Sequence, residues 1–565
     1  MFSFQITPLG NLFFGLTVIV FVSLALIRLG SFGAKASDSK QNNLFLSLLL
    51  FTALGVIFYA SDLITLFIGW EVMSWSSYFI IAKNAQLKTM QKYIIFNLGA
   101  GFALLGAIVL IYSATGTFIY SEIDFNHIPS SLKMAIYILI SITIFVKSGI
   151  VPFHYWVVDT YEEADNIFTA ILSAIISKAG IFLFILFFIK IVGLEDSEAM
   201  ALASSSSGLK PPIPSILLDV VAWLGVITSI VATFKAISQD SMKRLLAYSS
   251  IAQIGYIVTV LSVLNSSGLE AGLYHTIIHT FVKLLLFINI ASIIYITGKS
   301  KFSQLGGLIY EYPVLFIMLL IGIIGLAGMP PLGGFSSKFL IYTTLLEEKK
   351  ALLLTAVMFS SASAFLYCFK LIYGIYLGQP THNTKEHKSL PKSFYIAQFI
   401  GAILLVTLGI FPSLGVALSN PILISLGFEP TVYQSLFELN AGFASFNGGV
   451  LILVLVILFL AILAIVSSLK NRTVKVQDRF DISYCGEVPN AKNNLHYGYG
   501  IGEELKRVGF IKLILENSVA PYWERIAVIT KDSSLLLKKI YNLTVQNVGL
   551  LIIIFFTILL FIGVK

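Results

Sequence analysis

Runs of about 20 apolar residues recur from one end of the chain to the other, the length a helix needs to cross a hydrocarbon core. They fall at 11–30, 43–60, 62–82, 93–115, 133–157, 167–192, 213–237, 244–264, 270–296, 313–348, 352–377, 396–417, 447–468 and 546–563. Only 12% of the residues are charged, whereas a soluble domain carries roughly 25%. These features predict an all-α, polytopic membrane protein with about 14 transmembrane helices.

The loops sort by charge. One side holds Lys35, Lys40, Lys83, Lys88, Lys92, Lys243, Arg244, Lys299, Lys301, Lys385, Lys388, Lys392 and the long basic stretch 470–545. The other side is poorer in Lys and Arg and holds Glu122, Asp124, Glu195, Asp196 and Glu198. Basic loops stay cytoplasmic. The expected orientation therefore has both termini outside and 470–545 in the cytoplasm. The net charge of +8 reflects this bias and gives no reason to expect nucleic acid as a partner. Met1 is followed by no basic region and no cleavage site, so no cleaved signal peptide is expected.

Two cysteines, Cys368 and Cys485, are too few to hold an iron–sulfur cluster or a zinc ion alone. No phosphate-binding or dinucleotide-binding glycine motif stands between a strand and a helix. The chain is expected to carry no cofactor, no metal and no catalytic redox site. Its work must be done by protonatable side chains inside a membrane.

Such side chains are present. An ionisable residue at the middle of a span costs about 2.5–3.5 kcal/mol on insertion scales, so one that persists there points to function. Glu71, Lys147, Lys178 and Lys283 lie deep in their spans, and Lys338 lies in the interrupted stretch 313–348. His275, His279 and Lys283 recur every four residues and line one stripe of a helix. Three titratable groups in a row can pass a proton or hold a file of water. Glu71 and Lys147 have opposite charge and could pair across helices. A carboxylate that moves toward or away from a buried lysine changes how firmly the lysine holds its proton. Secondary candidates are His154, Lys370, Asp159, Glu162 and Glu163. The plain readings beside them are snorkelling for Lys370, packing near a helix end for His154, and a solvated acidic loop for the three carboxylates.

The interrupted spans match one another. Gly149 and Pro152 follow Lys147; Gly328, Pro330, Pro331, Gly333 and Gly334 precede Lys338. Proline removes a backbone donor and breaks a helix, and non-helical backbone at membrane depth is tolerated only beside protein or a water-lined cavity. Lys178 follows Lys147 by 31 residues and Lys370 follows Lys338 by 32. Five spans over 43–192 then correspond to five over 213–377, two inverted five-helix repeats each with a broken helix. The expected domains are an N-terminal helix and loop (1–42), a first repeat (43–192) and a second (193–377). C-terminal helices (378–468), a cytoplasmic segment with amphipathic helices (469–545) and a last transmembrane helix (546–565) follow.

Five stretches carry a family resemblance: "FIGWEVMSWSSY" (67–78), "KSGIVPFHYWVVDTYEEA" (147–164), "SQDSMKRLLAYSSIAQIGYI" (238–257), "YHTIIHTFVKLLLF" (274–287) and "GMPPLGGFSSKFLIY" (328–342). In this order they resemble the antiporter-like membrane subunits shared by respiratory complex I, Mrp-type Na+/H+ antiporters and energy-converting membrane-bound hydrogenases. The resemblance covers roughly residues 43–378. It implies that Glu71 and Lys147 are the glutamate–lysine pair of the uptake half-channel, Lys178 the connecting lysine, His275, His279 and Lys283 the central relay, and Lys338 the terminal lysine by the outward path.

The tail, with "FDISYCGEVPN" (480–490) and "LTVQNVGLLIIIFFTILLFIG" (543–563), and the run "FKLIYGIYLG" (369–378) resemble the large antiporter-like subunit of formate hydrogenlyase-type hydrogenases. That branch implies a proton-translocating subunit of a redox-driven pump. Its partners would be other membrane subunits and a peripheral redox arm carrying iron–sulfur clusters and a nickel–iron site. The alternatives are a subunit of an Mrp-type antiporter or of complex I, and the carried ion is H+ or Na+. Two departures stand out. Glu71 comes early, so about two N-terminal helices usual in complex I relatives are expected to be absent. Asp165 stands where the family usually has proline, next to the acidic group Asp159, Glu162 and Glu163, which reads either as a solvated loop or as a proton-collecting rim.

Overall fold

The computed structural model describes residues 3–30, 38–125, 127–192, 213–377, 389–442, 444–469, 504–516 and 519–541. The expected span 546–563, the loop residues Lys35, Glu195, Asp196, Glu198, Lys385 and Lys388, Cys485 and the stretch 480–490 lie outside them. The chain falls into two units, Met1–Lys512 and Leu513–Lys565.

The first unit is helical almost throughout. In chain order it contains α1 (Pro8–Gly30), α2 (Asp38–Tyr59), α3 (Leu63–Ile81), α4 (Leu87–Thr115), α5 (Ser130–Ser148), a short α6 (Tyr155–Glu163) and α7 (Phe168–Ile191). Then come α8 (Ser215–Ile237), α9 (Met242–Leu261), α10 (Ser266–Thr297), α11 (Pro313–Ala327), α12 (Gly333–Glu347) and α13 (Ala351–Leu377). It continues with α14 (Lys392–Ile410), α15 (Ser413–Ser425) and α16 (Gly448–Leu469). The helix Gly509–Glu516 runs across the division between the units. The described part of the second unit is mostly Ala520–Tyr541, a helix mixing apolar and charged residues.

Among the described residues, 11 helices are long and apolar enough to cross a membrane, and three shorter apolar helices accompany them. The count of 14 spans is therefore not reproduced. Of the expected spans, 546–563 lies outside the described residues, 43–60 is described as the shorter apolar stretch Leu44–Tyr59, and 313–348 is broken in two. The stretch 133–157 is α5, a non-helical turn and the start of α6; the stretch 313–348 is α11 and α12. Gly149 and Gly328 end α5 and α11 at φ +73° and +76°, a left-handed conformation that favours glycine. Val151–Pro152 and Pro330–Pro331 follow, both cis. From α2 to α7 and from α8 to α13 the elements then come in the same order: three helices, a broken one, and a last helix with π-helical turns at Leu172–Ile176 and Ile185–Ile191 in α7 and Tyr373–Leu377 in α13.

Burial separates the centre from the rim. Helices α7, α9 and α10 are buried on nearly every face, as expected of helices apolar all round that meet other helices instead of solvent or lipid. Phe13 of α1, Phe58 of α2 and Phe182 of α7 meet with ring centroids 5.0–5.6 Å apart, each such pair worth about 0.5–1.5 kcal/mol beyond its buried area. Helix α16 is exposed on every described face. One element lies outside the all-α expectation. Glu438–Ala441 and Ala444–Asn447 form a two-stranded antiparallel hairpin, pairing Glu438 with Asn447 and Ala441 with Ala444. Phe437, Leu439 and Ala441 alternate with polar residues there, the period of a strand.

Candidate functional site

Lys147 sits in the last turn of α5, just before the break. A cation there faces the negative end of the helix dipole. Its Nζ donates to Asn97 Oδ1 of α4 at 3.0 Å and to Ser74 Oγ of α3 at 3.3 Å, and lies 5.5 Å from the Trp70 ring. Only 1% of the residue is exposed. Glu71, one turn before Ser74, is half-buried and lies against α4 where Gly101 leaves room; a β-carbon at 101 would meet its carboxylate. Glu71 and Lys147 attract one another through space. No direct salt bridge joins them among the described residues; neutral oxygens hold the lysine, and the carboxylate acts from a distance.

Lys178 is wholly buried in α7, behind the π-helical turn Leu172–Ile176. The wider turn pairs Ser177 N with Leu172 O, and Lys178 Nζ donates to the carbonyl of Ser173. Lys178 and Lys283 of α10 are close enough to repel. Lys283 Nζ donates to Ser249 Oγ at 2.5 Å and to Leu246 O at 3.2 Å, both on α9. One turn back on α10, His279 feels both lysines, and neither of its ring nitrogens has a hydrogen-bond partner among the described residues. The His275 ring lies parallel to it, centroids 6.4 Å apart. His275 is held at both nitrogens, by Ser337 Oγ of α12 at 2.9 Å and Gln253 Oε1 of α9 at 3.0 Å.

The line continues across the second break. Lys338 of α12 turns back to the carboxyl end of α11, donating to Ala327 O at 2.8 Å, Leu326 O at 3.2 Å and Ser361 Oγ of α13 at 2.8 Å. It acts on His275 electrostatically. Lys338, like Lys147, is thus a buried cation at the C-terminus of a half-helix. Lys370 does not snorkel: it is 2% exposed, and its Nζ donates to Ile237 O at the end of α8 at 3.0 Å. No cluster of His, Cys, Asp or Glu suited to a metal occurs among the described residues.

Residues 60–364, more than half of the chain, match the NADH:quinone oxidoreductase/Mrp antiporter transmembrane family. The chain belongs to that family. It is 27% identical over 486 residues to Na(+)/H(+) antiporter subunit A1 of Staphylococcus haemolyticus, covering 79% of this chain and 55% of that protein. It is 28% identical over 408 residues to NADH-quinone oxidoreductase subunit N of Desulforamulus reducens, covering 70% and 80%. The chain thus spans about half the length of the antiporter subunit. The fold matches a chain of the archaeal membrane-bound sulfane sulfur reductase with a TM-score of 0.86 and 28% identity, over 99% of this chain and 89% of that one. This antiporter-family chain is a polytopic membrane protein with the complex I-like subunit fold.

In this family member the acidic group by the first break is neither free nor fully solvated. Asp159 takes Lys92 Nζ at 2.5 Å and Arg244 Nη1 at 2.9 Å; Arg244 Nη1 also reaches Glu162 at 2.7 Å. Glu163 accepts the backbone N–H of Gln86 at 2.7 Å. Burial works to raise the Asp159 carboxyl, but Lys92 and Arg244 outweigh it and hold it below the ordinary aspartate value. Asp159 and Glu162 thus form an ion-paired cluster, because α4 and α9 bring Lys92 and Arg244 to the same end of the bundle, and the two carboxylates stay a quarter to a third exposed. Asp165 caps α7: its Oδ1 accepts from Ile167 N and Phe168 N, each at 3.0 Å. His154 is 4% exposed, with Nδ1 unpaired.

Sequence reading missed several partners. Asn97, Ser74, Gln253, Ser249 and Ser361 are ordinary helix residues until the neighbouring lysine or histidine is placed. Glu270 was hidden by a span boundary drawn at that residue. It is a carboxyl only 4% exposed in the second turn of α10, and a helix continuing four residues beyond the apolar run was the available signal.

Proposed function

We propose that this chain is the ion-translocating subunit of a redox-driven membrane complex, of the membrane-bound hydrogenase (formate hydrogenlyase) type. The observation that carries the reading is the row of buried basic groups, Lys147, Lys178, Lys283, His279, His275 and Lys338, running from one broken helix to the other. Idle charges there would cost stability. Glu71 and Lys147 take up a proton in the half formed by 43–192, and Lys178 hands it on. The stripe of α10 relays it, and Lys338 directs it outward in the half formed by 193–377. Glu71, placed at a distance from Lys147, is the lever. When electron transfer in a partner shifts its carboxylate, the hold of Lys147 on its proton changes. The chain itself binds no cofactor. Iron–sulfur clusters and a nickel–iron site belong to partner subunits, and the termini face the outside of a prokaryotic inner membrane.

The similarity to an Na(+)/H(+) antiporter subunit supports a second reading, an Mrp-type antiporter without a redox partner. Gentle extraction of the native complex, with mass spectrometry of what co-purifies, separates the two. Hydrogenase and iron–sulfur subunits are expected. A set of membrane proteins with no cofactor-bearing partner overturns the redox reading in favour of the antiporter.

A further inference from the structure

The row of basic groups ends at His275 and Lys338, both buried. A second set of polar groups leads away from His275 toward the end of the bundle opposite the Asp159–Arg244 cluster. Helices α9 and α10 are joined by the short turn 262–265, so Arg244 at the start of α9 and Glu270 near the start of α10 stand at opposite ends.

His275 Nδ1 meets Ser337 Oγ. Ser337 Oγ also donates to Gly334 O at 3.1 Å; Ser336, next to it in sequence, has a buried Oγ with no hydrogen-bond partner among the described residues, within reach of the Tyr274 hydroxyl, which donates to Leu408 O at 2.8 Å. Tyr274 is fully buried, and a β-carbon at Gly415 of α15 would strike its ring; the small residue makes room for it. One turn earlier on α10 stands Glu270, a neighbour of Tyr274 by helix geometry and by charge. Thr431 Oγ1 donates to Glu270 Oε2 at 2.5 Å, while Oε1 has no hydrogen-bond partner among the described residues. Thr431 is fixed by Asn420, which exchanges two 3.0 Å hydrogen bonds with its backbone. The residues that follow, beginning with Val432, are exposed. A half-satisfied carboxyl buried one residue layer from the surface, with hydroxyls behind it, has the parts of a proton relay.

We propose that Glu270 is the last buried proton carrier of the outward path: its carboxylate takes the proton that reaches His275 through Ser337, Ser336 and Tyr274, and gives it to water past Thr431. The step moves one proton and breaks no other bond. It rests on the translocating function proposed above. Tyr274 from its own helix and Thr431 from the loop after α15 act on Glu270.

The test uses the whole native complex in proteoliposomes, following H+ and Na+ flux together with electron transfer. Glu270→Gln is expected to lower H+ translocation by at least about tenfold with electron transfer nearly unchanged, and Glu270→Asp to restore a large part of it. Lys283→Ala is run in parallel. Wild-type translocation in Glu270→Gln beside a dead Lys283→Ala overturns the role of Glu270 and leaves the parent reading standing. Wild-type translocation in both overturns both. Equal loss in the Asp and Gln variants assigns the residue to packing and also overturns the inference. Should Glu270→Gln fail to assemble, Thr431→Val, similar in shape, decides: a severalfold fall supports the path, and a wild-type rate overturns it.

Discussion

The second broken helix can be tested through a single methyl group. Gly334 opens α12 so close to α11 that a β-carbon there would land on the carbonyl of Gly325. That atom is backbone, and no rotamer change removes it. Restoring an ordinary carbon–oxygen contact would push the two half-helices apart by more than about 1 Å. The 2.8 Å bond from Lys338 Nζ to Ala327 O would then exceed the usual limit of about 3.2 Å. Overpacking costs about 1–3 kcal/mol, and a lost hydrogen bond from a charged group about 1.5–3 kcal/mol. Gly334→Ala should therefore destabilise the chain by about 2.5–6 kcal/mol, and a displacement of that size can slow a positioned reaction by ~100-fold. Gly15→Ala is the control. It is the same change in a helix interior, but a β-carbon at 15 meets nothing within 4 Å, so helix propensity makes it neutral or stabilising by up to about 1 kcal/mol. Thermal melting of the detergent-solubilised complex, with ion flux in vesicles, reads both. A Gly334→Ala protein that melts and translocates like Gly15→Ala would refute the geometry of the break.

Arg244→Gln should cost about 1–3 kcal/mol, between the ~0.2–1 of an exposed pair and the ~3–5 of a buried one, since its carboxylate partners are a quarter to a third exposed. Because the folded Asp159 carboxyl is held below its ordinary value, its stabilisation is full above the unfolded carboxylate range. It fades as pH falls through the lower folded value, so the difference between wild type and variant should shrink below about pH 4; melting curves across pH check this, and a pH-independent gap contradicts it. Asp165→Ala removes the acceptor for two N–H groups at the start of α7 and should lower stability by about 0.5–2 kcal/mol, with faster hydrogen exchange at 167–168; unchanged exchange there would refute the cap.

The sequence made the membrane class, the helix order and the deep charges visible because each leaves a local mark. A span is a run of apolar residues, a break is a proline with glycines, and a buried lysine is an interruption. Partners across helices leave no such mark. Nothing near Asn97 announces that it, and not Glu71, touches Lys147, and nothing in "DTYEE" (159–163) announces Lys92 or Arg244. The breaks inside the runs 133–157 and 313–348 were not visible as interruptions, because both runs stay apolar through them and hydropathy cannot see a φ of +73°. The hairpin 438–447 carries a two-residue alternation, but it is only ten residues long and abuts the apolar run of α16.

The central claim is that the buried row beginning at Lys147 and passing through Lys283 carries the ion. The direct measurement is ion translocation by the reconstituted native complex bearing Lys147→Ala or Lys283→Ala, with electron transfer followed in the same preparation. Both variants are predicted to abolish translocation while electron transfer continues. Translocation at the wild-type rate in both would contradict the account.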